Sequence, residues 1–295
     1  MKKLAFLFIL LAALTIHCSK DSSVVKTFDI GEYKLYLLSD LISKGDKNLL
    51  IDASDEMLKR YVPDGSYPTA MNCFAVRMPN KVILIDTGLG TNLLKNLARV
   101  QIDPKEVTAV LITHMHFDHI SGLLKDGEVV FPNADIYISH LEHKFWTSEK
   151  EMEKAGEAMR GGFQIAANVV KVYGPKLHLF TPNELGAIKN SLFEGITPIA
   201  AYGHTPGHTM YMIESKNEKL IVWGDLVHAM SIQMPNPEVA LKYDMDYKQA
   251  VAVRAKVLKY ISDNKISVAG IHIVPPGAGT IEAAVTGGYS FTPFK

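Results

Sequence analysis

Short runs of apolar and β-branched residues recur at 33–38, 73–78, 81–85, 109–113, 135–139, 210–214, 220–223 and 268–273. Most end near Gly, Pro, Asn or Asp, as strands do. Lys216, Asn217 and Glu218 join two of these runs as a hairpin turn. Helical patterning is interleaved with the runs. A short helix is predicted over 91–98 after Gly90. A charge-rich helix with apolar spacing of three and four is predicted over 141–160, broken by Gly161-Gly162. The clearest helix is 246–264. Asp246 caps it with Gln249 three residues on, and Ala250, Val253, Val257 and Ile261 form the stripe. Strands mixed with helices make the class α/β or α+β. There is no tandem repeat, heptad, low-complexity tract or Pro/Gly/Ser linker, so one domain is expected over 31–295.

The N-terminus follows another pattern. Lys2 and Lys3 precede the run 4–16, which is apolar except for Thr15 and too short to span a bilayer comfortably. Residues 1–17 are therefore expected to be a signal peptide, and 18–30 a polar tether. Cys18 stands where a bacterial lipoprotein carries its lipid, although His17 is larger than the residue usual before the cut. The expected location is periplasmic or outer-membrane-anchored.

Composition narrows the function. With 31 basic and 31 acidic residues the chain carries no net charge, which argues against a broad grip on nucleic acid. Two cysteines, Cys18 and Cys73, cannot build a disulfide scaffold or a four-Cys zinc site. The eleven histidines matter more, because several are clustered.

The segment 111–123 reads LITHMHFDHISGL, so His114, His116, Asp118 and His119 crowd the end of an apolar strand. His114 and His116 are two apart and share a side of an extended stretch, while Asp118 and His119 follow after a turn. Neutral imidazole and carboxylate suit zinc and similar divalent ions. Three further runs set His or Asp beside Gly or Pro: YGHTPGHT with His208, VWGDLVH with Asp225, and AGIHIVPPG with His272. His204 reads as a turn residue rather than a ligand.

HxHxDH followed by His, Asp and His at long intervals, with IDTG at 85–88 before it, resembles the metallo-β-lactamase superfamily. That resemblance implies a four-layer αββα sandwich with a dinuclear site along one edge. His114, His116 and His208 would hold one metal, Asp118, His119 and His272 the other, and Asp225 would bridge them. It implies two divalent ions, zinc by ligand type, sharing a hydroxide that attacks a carbonyl or phosphoryl centre. Asp118 would take up the proton and pass it to the leaving group. Asp86 would fix the tautomer of a ligand histidine.

YLLSD, THMHFDHISGL, FPNADI, KFW, GHTPGHT and GDLVH are similar to the group of methyl parathion hydrolase and the N-acyl-homoserine lactonases. By that resemblance Phe117, Trp146 and Phe163 are expected to line the substrate pocket, and His228 to line it or support Asp225. Lactone hydrolysis ranks first and organophosphate hydrolysis second, since Phe117 stands where the parathion hydrolases often carry Pro. Asp225 and the absence of a site cysteine suit a β-lactamase poorly, and His116 in place of Glu disfavours the diiron redox branch. A non-catalytic metal-binding lipoprotein is the remaining alternative. The expected partner is a small-molecule substrate, with no nucleic acid, membrane contact only through the lipid anchor, and a homodimer.

Overall fold

Side-chain alternation sorts the strands between two cores. Along Lys81–Ile85, Val82 and Leu84 join one buried cluster, while Ile83 and Ile85 join another. Along Thr209–Ser215, Tyr211 and Ile213 face the same inner cluster as Ile83, and Met210 and Met212 face a third. The computed structural model describes residues 23–187 and 189–295. The expected signal peptide and Cys18 lie outside the described residues.

Two sheets follow from this sorting. The first runs in the order Val24–Ile30, Tyr33–Asp46, Ser66–Met78, Lys81–Ile85, Val107–Leu111, Asp135–Ser139, Leu177–Phe180. The second runs Ile196–Ala200, Thr209–Ser215, Glu218–Val222, Ser267–Ala269, Ala278–Ala283, Tyr289–Pro293. Their inner faces share Leu35, Phe74, Ile83, Leu111, Tyr211, Leu220 and Val222. Helices Leu93–Arg99 and Glu157–Tyr173 cover the outside of the first sheet, and Tyr247–Asp263 covers the second. The result is the αββα sandwich the resemblance implied. Among the described residues no helix is long and apolar enough to cross a membrane.

Four segments depart from the sequence reading. Residues 24–30, assigned to the tether, form a strand, because Phe28 and Ile30 bury side chains against the second sheet's side of the core. The expected 141–160 helix is three helices: His140–Trp146, Glu149–Lys154 and Glu157–Tyr173. Gly161-Gly162 does not break the last of them. Each glycine costs about 1 kcal/mol in a helix interior, but burying Phe163 and Tyr173 contributes about 1.5–3 kcal/mol apiece. Gly162 is also where the helix meets Trp146, whose ring lies 3.1 Å from the place a Cβ would take. The run 268–273 stops pairing after Ala269, and the chain then turns to carry His272.

The parallel strands set up the site. Lys81–Ile85, Val107–Leu111 and Asp135–Ser139 run parallel, as do Glu218–Val222 and Ser267–Ala269. The segments leaving their C-terminal ends carry Asp86, His114–His119, Glu142, Asp225 and His272. Ligand sites form outside the carboxyl ends of such strands. Two bonds tie the sheets together here: Thr209 N–H donates to Thr113 O at 2.9 Å, and the Tyr211 hydroxyl to Ile112 O at 2.7 Å.

Candidate metal centre

Asp225 is the hub. It is buried, and its Oδ2 lies 2.9 Å from His228 Nε2, 3.0 Å from His272 Nε2, 3.2 Å from His204 Nε2 and 3.6 Å from His114 Nε2. Its Oδ1 lies 3.2 Å from His119 Nε2. Asp118 Oδ2 is 3.6 Å from His119 Nε2 and 3.9 Å from His272 Nε2. His114 Nε2 and His116 Nδ1 are 2.8 Å apart. The donors fall into three overlapping groups: His114, His116, His204, Asp225; Asp118, His119, His272; and Asp225, His228, His272.

The far nitrogens explain why the near ones face inward. A carbonyl or carboxylate only accepts, so the nitrogen beside it carries the proton and leaves the other lone pair free. His272 Nδ1 lies 2.8 Å from Ala70 O, and His204 Nδ1 lies 2.9 Å from Asp244 Oδ1. His119 Nδ1 lies 2.7 Å from Asp86 Oδ2. Asp86 also accepts from Thr113 N–H at 2.8 Å and the Thr113 hydroxyl at 2.6 Å. Its φ of 57° is a left-handed conformation that Asp tolerates better than most residues.

The electrostatics suit a cation. Burial disfavours charge on Asp225, but His119, His272, His228 and His114 outweigh it and hold the carboxyl well below its usual range. Burial likewise disfavours charge on His119, but Asp225, Asp118 and Asp86 push its pKa well above the ordinary imidazole value. For His114 and His116 burial prevails, helped by neighbouring imidazoles, and the pKa is well down. His119 Nε2 and Asp225 Oδ1 are buried and make no hydrogen bond. Two orphaned donors of opposite character, aimed at one point, fit divalent metal.

Two sequence expectations need correction. His208 does not join His114 and His116. Its Nδ1 lies 2.9 Å from Ala201 O, and its Nε2 accepts the Asp225 N–H at 2.9 Å. His204, read as a turn residue, enters that group instead, because Asp244 orients it. Asp244 is in turn held by Leu241 N–H at 3.0 Å and by buried Arg254 at 3.5 Å. Trp146 and Phe163, expected in the pocket, are 2% and 1% exposed and pack in the outer core of the first sheet. The Trp146 ring stands edge-on behind His116, with centroids 5.5 Å apart.

His116, Phe117 and Asp118 are the partly exposed stretch of the motif, so the donor cluster reaches solvent at that loop. Tyr243, 39% exposed, is within reach of Asp118. Burial and the Asp118 charge both raise its hydroxyl's pKa. His228 stacks on His272 with centroids 4.5 Å apart, and its Nδ1 has no hydrogen bond. Sequence reasoning missed Thr113, Glu142, Asp244 and Arg254, which carry no spacing signal.

The sequence model of the Metallo-beta-lactamase superfamily matches residues 67–269. Among solved structures, AidC, described as a dizinc quorum-quenching lactonase in complex with a product, is similar at 30% identity. The match covers 93% of this chain and 99% of that one, with a TM-score of 0.83. AbOPH, described as a hydrolase in the beta lactamase superfamily, has the same coverage and TM-score at 28% identity. An uncharacterized Bacillus subtilis (strain 168) protein, YobT, is 28% identical over 156 residues, which is 51% of this chain and 60% of that protein.

Proposed function

The chain belongs to the metallo-beta-lactamase superfamily as a metal-dependent hydrolase, and from that premise we propose that it opens a lactone with two divalent metal ions. The observation that carries the reading is the Asp225 carboxylate lying between two donor groups, with Oδ2 3.6 Å from His114 Nε2 and Oδ1 3.2 Å from His119 Nε2, while His119 Nε2 and Asp225 Oδ1 are left without hydrogen bonds. His114, His116, His204 and Asp225 would hold one ion, and Asp118, His119, His272 and Asp225 the other. Bound there, the ions would polarise the substrate carbonyl and supply hydroxide near neutral pH.

The chain's own residues do the rest. Asp86 keeps the His119 proton on Nδ1, as Ala70 O does for His272, so both Nε2 atoms stay available. Asp118, at the partly exposed rim, accepts the proton of the attacking water and passes it to the leaving alkoxide. Asp225, held anionic by four imidazoles, sets the spacing between the two groups. The lactone preference is supported by the likeness to AidC over nearly the whole described chain. Export and lipid attachment at Cys18 complete the proposal.

The test is a hydrolysis panel on the metal-loaded protein. It compares kcat/KM for short- and long-chain homoserine lactones, methyl paraoxon, an aryl ester and nitrocefin. Lactone turnover well above the others is expected. Equal or greater turnover of the phosphotriester or of nitrocefin refutes the assignment.

A further inference from the structure

Glu142 is a buried carboxylate that the hydrolytic chemistry leaves unused. It sits in the first turn of His140–Trp146 with no exposed surface. Its Oε1 accepts Met115 N–H at 2.9 Å and Trp146 Nε1–H at 2.6 Å. Its Oε2 accepts the Thr205 hydroxyl at 2.7 Å and Gly207 N–H at 2.9 Å. A carboxylate offers about four lone-pair positions, and all four are filled. The donors are placed in a pattern. Met115 lies between His114 and His116, while Thr205 and Gly207 lie between His204 and His208. One side chain thus spans the two loops that bring imidazoles to Asp225.

The packing shows the same contact independently. A Cβ at Gly207 would meet Glu142 N at 2.2 Å and Glu142 Cβ at 2.6 Å. The second loop is therefore pressed against the helix backbone, and only glycine allows it. Trp146, one turn on, closes the unit by donating to Oε1 and standing against the His116 ring.

We propose that Glu142 is a positioning residue for the metal site, fixing the separation of the two histidine loops before metal arrives. Burial raises the pKa of this carboxyl and the four donors offset that only in part, but their placement makes both oxygens acceptors. Gln keeps one of the two acceptor oxygens, so Glu142→Gln leaves one loop's donors facing an NH2; the tie between the loops is lost and the donor group loosens.

The inference rests on the metal reading above, and cobalt(II) separates the two. Metal-stripped full-length protein is titrated with cobalt(II) in a chelator buffer and followed by visible absorption. Wild type is expected to take up two ions. Glu142→Gln is expected to weaken the ion held by His114 and His116 by about 10–100-fold and to alter its spectrum. The ion at Asp118, His119 and His272 should change by only a few-fold. Wild-type affinities and spectrum in Glu142→Gln, with only a lower melting temperature, would overturn the inference and leave the metal reading standing. No uptake by wild type would overturn both. Trp146→Phe covers the case of a Glu142→Gln chain that does not fold. It removes one of the four donors, keeps the carboxylate, and should weaken the same ion by about three- to tenfold. An unchanged titration in Trp146→Phe would also overturn the inference.

Discussion

Replacing Asp86 with Asn tests whether the site depends on the tautomer of His119. The substitution is isosteric, and Asn tolerates the left-handed backbone at this position. Its carbonyl can keep the Thr113 N–H bond now made at 2.8 Å. Its NH2 then replaces Oδ2 and faces His119 Nδ1 at about the same 2.7 Å. Two N–H groups cannot share that contact, so His119 gives up its Nδ1 proton and is left with one on Nε2. There it faces Asp225 Oδ1 at 3.2 Å, at ion-pair distance rather than in a hydrogen bond. The metal-free protein thereby keeps the Thr113 N–H bond and the His119–Asp225 contact, and it should unfold within a few degrees of wild type. Metal must now displace that proton and restore the disfavoured contact. Partners behind a ligand histidine are worth about 10–100-fold in affinity, or about 1.4–2.7 kcal/mol. Calorimetric zinc titration should show that loss at the Asp118, His119 and His272 group. Asp86→Ala serves as the contrast. It strands the Thr113 N–H at about 1–3 kcal/mol and leaves the Thr113 hydroxyl and His119 Nδ1–H only the weaker contacts at 3.1 Å to His114 Nδ1 and 3.3 Å to each other, so it should lower the melting temperature of the metal-free protein clearly. Wild-type zinc affinity in Asp86→Asn would refute the tautomer argument.

Three further outcomes are expected. Asp118→Asn should bind metal within about tenfold of wild type yet lose about 10²–10⁴-fold in kcat, and steady-state kinetics retaining a tenth of wild-type kcat would remove Asp118 from proton transfer. His204→Ala should lower the metal content by one ion under chelator, whereas His208→Ala should bind two, and the reverse result by elemental analysis would return the ligand role to His208. His228 is buried and neutral, its pKa pushed down to about 4 chiefly by burial, below the unfolded value near 6.5. Its unfolded form takes up the proton first, so its contribution falls as pH drops from 6.5 and levels off below 4. Urea unfolding of metal-free His228→Asn should gain on wild type by on the order of 3 kcal/mol over that window, and a constant gap between the two proteins would refute it.

What the sequence disclosed follows from range. HxHxDH sits in six consecutive positions after an apolar strand, so its crowding is local and visible. Asp225 and His272 each follow a strand end, where a parallel sheet delivers its side chains. The apolar, β-branched runs marked the strands because such runs are local, but which core each side chain enters is set by the pairing of the sheets. Helix breaks were harder to place. Gly161-Gly162 reads as a stop by propensity, and burial of Phe163 and Tyr173 overrides it only once the sheet beneath is known.

The choice between His204 and His208 shows where local reading ends. Both stand in one eight-residue run, each beside a turn, and spacing gives no reason to separate them. The separation comes from partners far along the chain. Asp244, forty residues on, takes His204 Nδ1 and turns Nε2 toward Asp225, while Asp225 N–H takes His208 Nε2 away. Asp244 is fixed from the helix Tyr247–Asp263 by Arg254, whose guanidinium also donates to Leu226 O at 2.7 Å and Val239 O at 2.8 Å. Leu226 is next to Asp225, so the same arginine supports both the residue that aims His204 and the segment that carries the hub. Glu142 does the corresponding work on the other side, where it holds Met115 against Thr205 and Gly207. The imidazoles that the motifs advertise are therefore aimed by two buried charged residues, Arg254 and Glu142, that sit on helices outside every motif. Their roles exist only after the sheets have brought 115, 142, 205, 226, 244 and 254 together.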